Sequence, residues 1–290
     1  MKKPNFVVVI ALFLAMAISL FSCKSTPDIA PVDAFELLDG DAALYLTVPV
    51  QANSEFVTNA IQKIGKIAES DAKKITERLD MAYVAILPSG KIQLSASGNL
   101  PKAFASLALS EKNGWTAGAK EGHTFYTHKD TGFELCIPSS SNVFLAGNIS
   151  QMAKRYNKIA YSDLTSDEKL LSQAISQSDY KYLHENISSN MMLYSPSPRF
   201  LLKNFFGALD VKTPVTSVYA AVSPYSEVKG YDYNVKLVLN LSDARTVKAT
   251  EALLKVGLFG MASKISQTGQ AQITIVELLL KKSQILALIK

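Results

Sequence analysis

Two cysteines and three histidines in 290 residues leave little material for thiol or metal chemistry. Their spacing supplies no paired-cysteine site and no H-E-x-x-H. The chain also has no glycine-rich phosphate loop and no G-x-S-x-G elbow, so the common zinc, nucleotide and acyl-transfer signatures are missing. Charge of one sign is lacking as well. The formal balance is only +5, and opposite charges are interspersed along Glu55, Lys63, Lys66, Glu69, Asp71, Lys73 and Lys74, as on a solvated helix face. That pattern argues against a nucleic-acid partner. Long apolar runs are confined to one, Phe6 to Phe21, which falls short of the roughly 20 residues a membrane-spanning helix needs.

What that run does carry is the layout of an export signal. Lys2 and Lys3 form a positive start, Phe6 to Leu20 an apolar middle, and Leu20-Phe21-Ser22-Cys23 places a small residue before a cysteine. This ending resembles the lipobox of bacterial lipoproteins. The resemblance implies that the Cys23 thiol takes a diacylglyceryl group, that residues 1–22 are removed, and that the new amine is acylated. Lys24, where an aspartate would act as an inner-membrane retention signal, implies export to the outer membrane. The expected partner is then the membrane, reached through covalent lipid on Cys23, with no other cofactor. In overall style the chain resembles the envelope lipoproteins of diderm bacteria such as spirochaetes.

Loss of the leader leaves 268 residues with 28 basic and 25 acidic side chains. That length suffices for one large domain or two modest ones. Cys136 is then without an internal disulfide partner, and in Phe133-Glu-Leu-Cys-Ile137 it reads as a small buried hydrophobe. Residues 23–39, with two prolines, read as a tether with a docking turn at Phe35 to Leu38.

Beyond Gly40 the chain reads as an α+β protein that states one plan twice. Residues 40–157 give a strand at Ala43–Val48 and helices at Ser54–Glu69 and Asp71–Leu79. A hairpin follows from Met81–Leu87 and Lys91–Ser97, then a helix at Lys102–Leu109, four short strands and a helix at Ile149–Tyr156. Residues 158–189 form a polar, helical connector. Residues 190–290 repeat the order with a strand at Met191–Tyr194, a helix at Arg199–Leu209 and strands at Thr216–Val222 and Tyr231–Leu241. A helix at Ala244–Ser263, N-capped by Ser242 or Asp243, precedes strand-like runs at Gln272–Leu280 and Gln284–Ile289. Hairpins with short turns imply antiparallel sheets, with amphipathic helices on one face. The expected fold is two tandem strand-helix-strand-strand-helix-strand units.

Candidate chemistry is thin. His123 and His128, with Glu121 and Asp130 nearby, invite a metal site, but an offset of five puts them on opposite faces of a regular strand. His184 reads as a helix surface or interface contact. Ser70-Asp-Ala-Lys73 and Ser226-Glu-Val-Lys229 match the S-x-x-K string of penicillin-recognising enzymes, yet S-D-N and K-T-G are missing, so both serines read as surface residues. Tyr219, Tyr225, Tyr231 and Tyr233 cluster in sequence near the second hairpin and suit a half-wet interface. The candidate apolar binding surface is Phe205, Phe206, Leu258 and Phe259. Together these readings describe a membrane-anchored, non-enzymatic envelope lipoprotein that binds another envelope component. The alternative is a carrier of lipid or another hydrophobic ligand, with an apolar cavity between the two copies; a serine hydrolase is a distant third.

Overall fold

The computed structural model describes residues 30–65, 67–101, 109–163, 166–185, 188–199, 201, 214–258, 263–267 and 271–286. A single antiparallel sheet organises them. The first half of the chain gives β1 (Leu44–Pro49), α1 (Ser54–Gly65), α2 (Glu69–Thr76), β2 (Leu79–Ile86) and β3 (Ile92–Gly98). It continues with β4 (Trp115–Lys120), β5 (His123–His128), β6 (Glu134–Cys136), β7 (Asn142–Ala146) and α3 (Ser150–Ala160). The connector holds α4 (Leu171–Ala174) and α5 (Gln177–Glu185). Then come β8 (Met191–Ser195), β9 (Val215–Pro224), β10 (Tyr233–Leu241), α6 (Val247–Gly257), β11 (Ser263–Gln267), β12 (Gln272–Leu280) and α7 (Lys282–Leu286).

Twelve strands join in the order β11-β12-β10-β9-β8-β1-β2-β3-β7-β6-β5-β4. The seam is β1 against β8, where Tyr45 faces Tyr194 and Thr47 faces Met192. From that seam β1-β2-β3-β7 and β8-β9-β10-β12 run outward in matching order. Strand alternation then sorts the side chains. Leu44, Leu46 and Val48 of β1 join Val84 of β2, Leu193 of β8 and Ala220 of β9 in one core, while Tyr45, Tyr83, Met192 and Tyr194 enter the other. Every residue of β1 is buried because both of its faces are covered.

The first face is roofed by α1 through Phe56 and Val57, by α6 through Val247 and Leu254, and by α7 through Ile285. The second face is roofed by α3 through Met152 and Tyr156, α4 through Leu171, α5 through Leu183, and a 3-10 turn at Ala34–Leu37. Among the described residues, helices on one face therefore describe only the β10–β12 part, where hydrogen-bonded polar rungs run on the second face from Gln272 through Asn240 to Ser217 of β9. Nearer the seam the connector and the N-terminal segment supply the second layer. The N-terminal segment docks against this second face through that turn. Asp33 accepts from Phe35 N–H at 3.0 Å, and Phe35, Leu37 and Leu38 are buried.

Three local expectations change. The C-terminal strand expected at Gln284–Ile289 is helix α7 over its described part, and Lys281 N–H donates to Gln284 Oε1 there. The helix expected to reach Ser263 stops at Gly257, behind a turn capped by Asp243, and Ser263 opens β11 instead. The helices expected at Lys102–Leu109 and Arg199–Leu209 fall almost wholly outside the described residues.

Tyrosines mark where the second face is tightest. The Tyr219 hydroxyl donates to Asp179 at 2.6 Å, and its ring stacks on Tyr194, with centroids 4.9 Å apart. Burial first, and then the Asp179 charge, push the Tyr219 pKa up to about 12. Burial likewise raises Tyr45, Tyr83, Tyr182 and Tyr194. A phenol whose pKa rises on folding keeps its full stabilising contribution below its unfolded value, near 10, and loses it as pH climbs toward the folded value. The urea midpoint is thus expected to hold up to about pH 10 and then fall steeply, with the tyrosinate absorbance of the buried rings appearing together with unfolding. Ionisation of all twelve tyrosines in a still-folded chain would contradict this packing.

Candidate functional site

On the first face, outward from the seam, the sheet and its helical roof part to leave a cavity of about 560 Å³. Its floor comes from alternation in two neighbouring strands. Leu94 and Ala96 of β3 and Val143 and Leu145 of β7 project to one side, with Leu94 paired to Leu145 and Ala96 to Val143. Ile61 of α1 and Ile75 of α2 form the roof, and Leu135 and Phe133 close one side. The helix face opposite Ile75 stays wet, as an amphipathic helix requires.

Polar groups are confined to a few wall and rim positions. Lys74 and Asp71 form an exposed ion pair at 3.3 Å. The His128 ring packs edge-on against Trp115, with centroids 4.9 Å apart, and its Nδ1 lies 3.2 Å from Thr131 Oγ1. An apolar chamber of this size with a few polar groups is suited to an amphiphile: apolar contact supplies affinity and the rim orients a head group. A second cavity of about 50 Å³ lies at the seam, between Leu44, Leu46 and Leu193, where the two halves meet. It has room for one or two waters and none for a lipid.

The residues singled out by sequence scatter. Among the proposed binding-surface residues, Phe205, Phe206 and Phe259 lie outside the described residues, and Leu258 is buried in the core. His123 Nε2 sits 2.6 Å from Asn157 Oδ1 of α3, on the second face, while His128 lines the cavity on the first. His184 stacks on Phe35 and approaches Asp33 at 3.4 Å, tying α5 to the N-terminal segment. Among the described residues no group of three His, Cys, Asp or Glu side chains converges as a metal site. Ser70 and Ser226 are exposed, on α2 and at the tip of the β9–β10 hairpin. The buried Cys136 thiol donates to the Thr124 carbonyl at 3.4 Å. The four clustered tyrosines part company: Tyr219 joins the second face, Tyr233 packs edge-on to Phe56 on the first, and Tyr225 and Tyr231 flank the hairpin tip.

Residues 29–286 match the family described as outer membrane-associated lipoprotein TP0453. The chain belongs to this family. It is accordingly a bacterial lipoprotein of the cell envelope, lipid-anchored and associated with the outer membrane. The TP0453 fold is shared as well. The crystal form I structure of TP0453 superposes with a TM-score of 0.68 at 20% identity, covering 90% of this chain and 97% of that one. Crystal form III gives 0.66 at 20% identity, over 89% and 98%. No curated protein matches the sequence. Among the described residues no helix is long and apolar enough to cross a membrane.

The cavity-lining residues escape sequence reading because an apolar side chain facing a void looks like one facing a packed core. The available signal was alternation in Lys91–Ser97 and Asn142–Ala146, which puts Leu94, Ala96, Val143 and Leu145 on one face.

Proposed function

We propose that this lipoprotein, held to the membrane by acyl chains on Cys23, binds an acyl chain or comparable amphiphile without acting on it chemically. The cavity of about 560 Å³ beneath α1 and α2 carries the reading. Its aliphatic floor suits a hydrocarbon tail, and Lys74 and His128 stand where a polar head would leave it. The matching strand orders on either side of the β1–β8 seam support an origin by duplication. In that case this cavity belongs to the first copy, and the ligand lies within a copy rather than between two.

Native mass spectrometry of the mature chain is expected to show a stoichiometric lipid adduct that organic extraction removes. Leu145→Trp fills the floor and should abolish the adduct. The added ring volume enters open space rather than a packed core, so the unfolding free energy should change by less than about 1.5 kcal/mol. An adduct-free wild-type mass, or an adduct that survives Leu145→Trp in full, would remove this reading.

A further inference from the structure

The apolar cavity has a polar neighbour. Lys74, at the cavity rim, also lines a pocket of about 390 Å³ whose other described walls are Glu77, Arg78, Asp80 and Asn99. One stretch of chain divides the two spaces. Ile75 and Leu79 line the cavity, whereas Glu77, Arg78 and Asp80 line the pocket. In the same way Ala96 of β3 lines the cavity, and Asn99, just past the end of that strand, lines the pocket.

Hydrogen bonds fix the backbone from which these side chains project. Glu77 N–H donates to the Lys73 carbonyl at 2.9 Å and closes α2, and Asn99 N–H donates to the Arg78 carbonyl at 2.8 Å. Gln51 Nε2 donates to the Leu79 carbonyl at 2.7 Å. Gly98 permits this close approach, because a Cβ there would collide with the Arg78 carbonyl oxygen.

The charges of the pocket balance. Lys74 and Arg78 are cations four residues apart, the spacing at which side chains meet across one helical turn. Together they suit an oxyanion such as phosphate. Lys74 is paired with Asp71 at 3.3 Å, but both side chains are exposed, so a phosphate can take it over at little cost. Glu77 and Asp80 are acceptors for an ammonium group, and Asn99, the fifth wall, is neutral. A purely anionic head would leave both carboxylates facing a negative charge. A quaternary ammonium would bring no N–H for them, and the described walls include no aromatic ring to receive it.

We infer that this pocket receives the head group of the amphiphile whose tail occupies the cavity, and that the head is a phosphate ester carrying a primary amine. Lys74 and Arg78 hold the phosphate, and Glu77 and Asp80 hold the ammonium. The inference rests on the cavity reading and narrows it to one ligand class, zwitterionic phospholipids of the ethanolamine type.

The test offers the mature chain an equimolar mixture of three probes that share a palmitoyl tail: lysophosphatidylethanolamine, lysophosphatidylglycerol and free palmitate. Their adducts differ in mass, so native mass spectra give the binding ratio directly. The ethanolamine adduct is expected to exceed each of the others by at least about tenfold. Glu77→Lys combined with Asp80→Lys makes all four charges positive and should invert the order, with the glycerol probe ahead of the ethanolamine one. Should that chain fail to show a cooperative urea transition, Glu77→Gln with Asp80→Asn replaces it and is expected to erase the lead. Equal adducts in the wild type, a lead for either anion, or a wild-type order that persists in the variant overturns the head-group assignment and leaves the cavity reading standing. No adduct with any probe removes both.

Discussion

Cys23→Ser is expected to abolish acyl incorporation, removal of residues 1–22 and partition into the outer membrane. In the lipoprotein scheme a cysteine sulfur accepts the diacylglyceryl unit, and a serine hydroxyl is a far weaker nucleophile at neutral pH. In the lipoprotein scheme cleavage follows acylation, so the first failure stops the second. The energetic effect is correspondingly large. Each buried methylene contributes about 0.8 kcal/mol, so one chain holds a protein marginally and two hold it stably. Intact-mass measurement and detergent phase separation read the outcome directly. A Cys23→Ser chain that is still cut and still acylated would sink the anchor reading, while family membership would stand.

Arg155→Met is expected to cost about 3 kcal/mol of folding stability, at the lower end of what breaking a buried pair costs. Arg155 enters the chain on an otherwise ordinary polar helix, yet its side chain is only 4% exposed and four groups surround it. Nη2 donates to Asp39 at 2.8 Å and to Glu168 at 3.3 Å, Nη1 to the Leu37 carbonyl at 3.2 Å, and Nε to the Lys169 carbonyl at 3.1 Å. One guanidinium thus joins α3 to the N-terminal segment and to the connector. Its removal leaves two carbonyls and two carboxylates short of donors, and the carboxylates, each 20% exposed, recover only part of their hydration. Arg155→Lys should recover less than half of the loss, since an ammonium cannot fork to four acceptors. Lys74→Ala removes an exposed pair and should stay within about 0.5 kcal/mol. Urea unfolding at neutral pH decides the matter, and an Arg155→Met variant within about 1 kcal/mol of wild type would show that the network does not hold the second layer.

Local structure was legible wherever periodicity and stop signals agreed. Leu44–Pro49 and Leu79–Ile86 lie close to the runs that β-rich composition and following prolines mark. A cap at Ser242 or Asp243 was readable from its position before an apolar run, and the structure uses Asp243. Short runs were ambiguous. Lys282–Leu286 fits either period, and Ser263–Gln267 is too brief for its alternation to stand out from the helix before it. Long-range arrangement was not legible. Tyr45 and Tyr194 carry no mutual signal across the intervening chain, so two sheets and one sheet read alike until the seam is seen. The burial of Arg155 depends on what wraps over α3, and an empty cavity leaves no trace in the residues that line it.

The β1–β8 seam also governs time. Export delivers the chain from its N-terminus, so β1 through β7 emerge while the strand that must close β1's open edge is still inside the translocation channel. Until Met191–Ser195 arrives, that edge presents unpaired backbone groups to any neighbouring strand. The nascent first half must therefore wait, shielded, for its other half. Pairing so distant in sequence makes this a slow-folding topology.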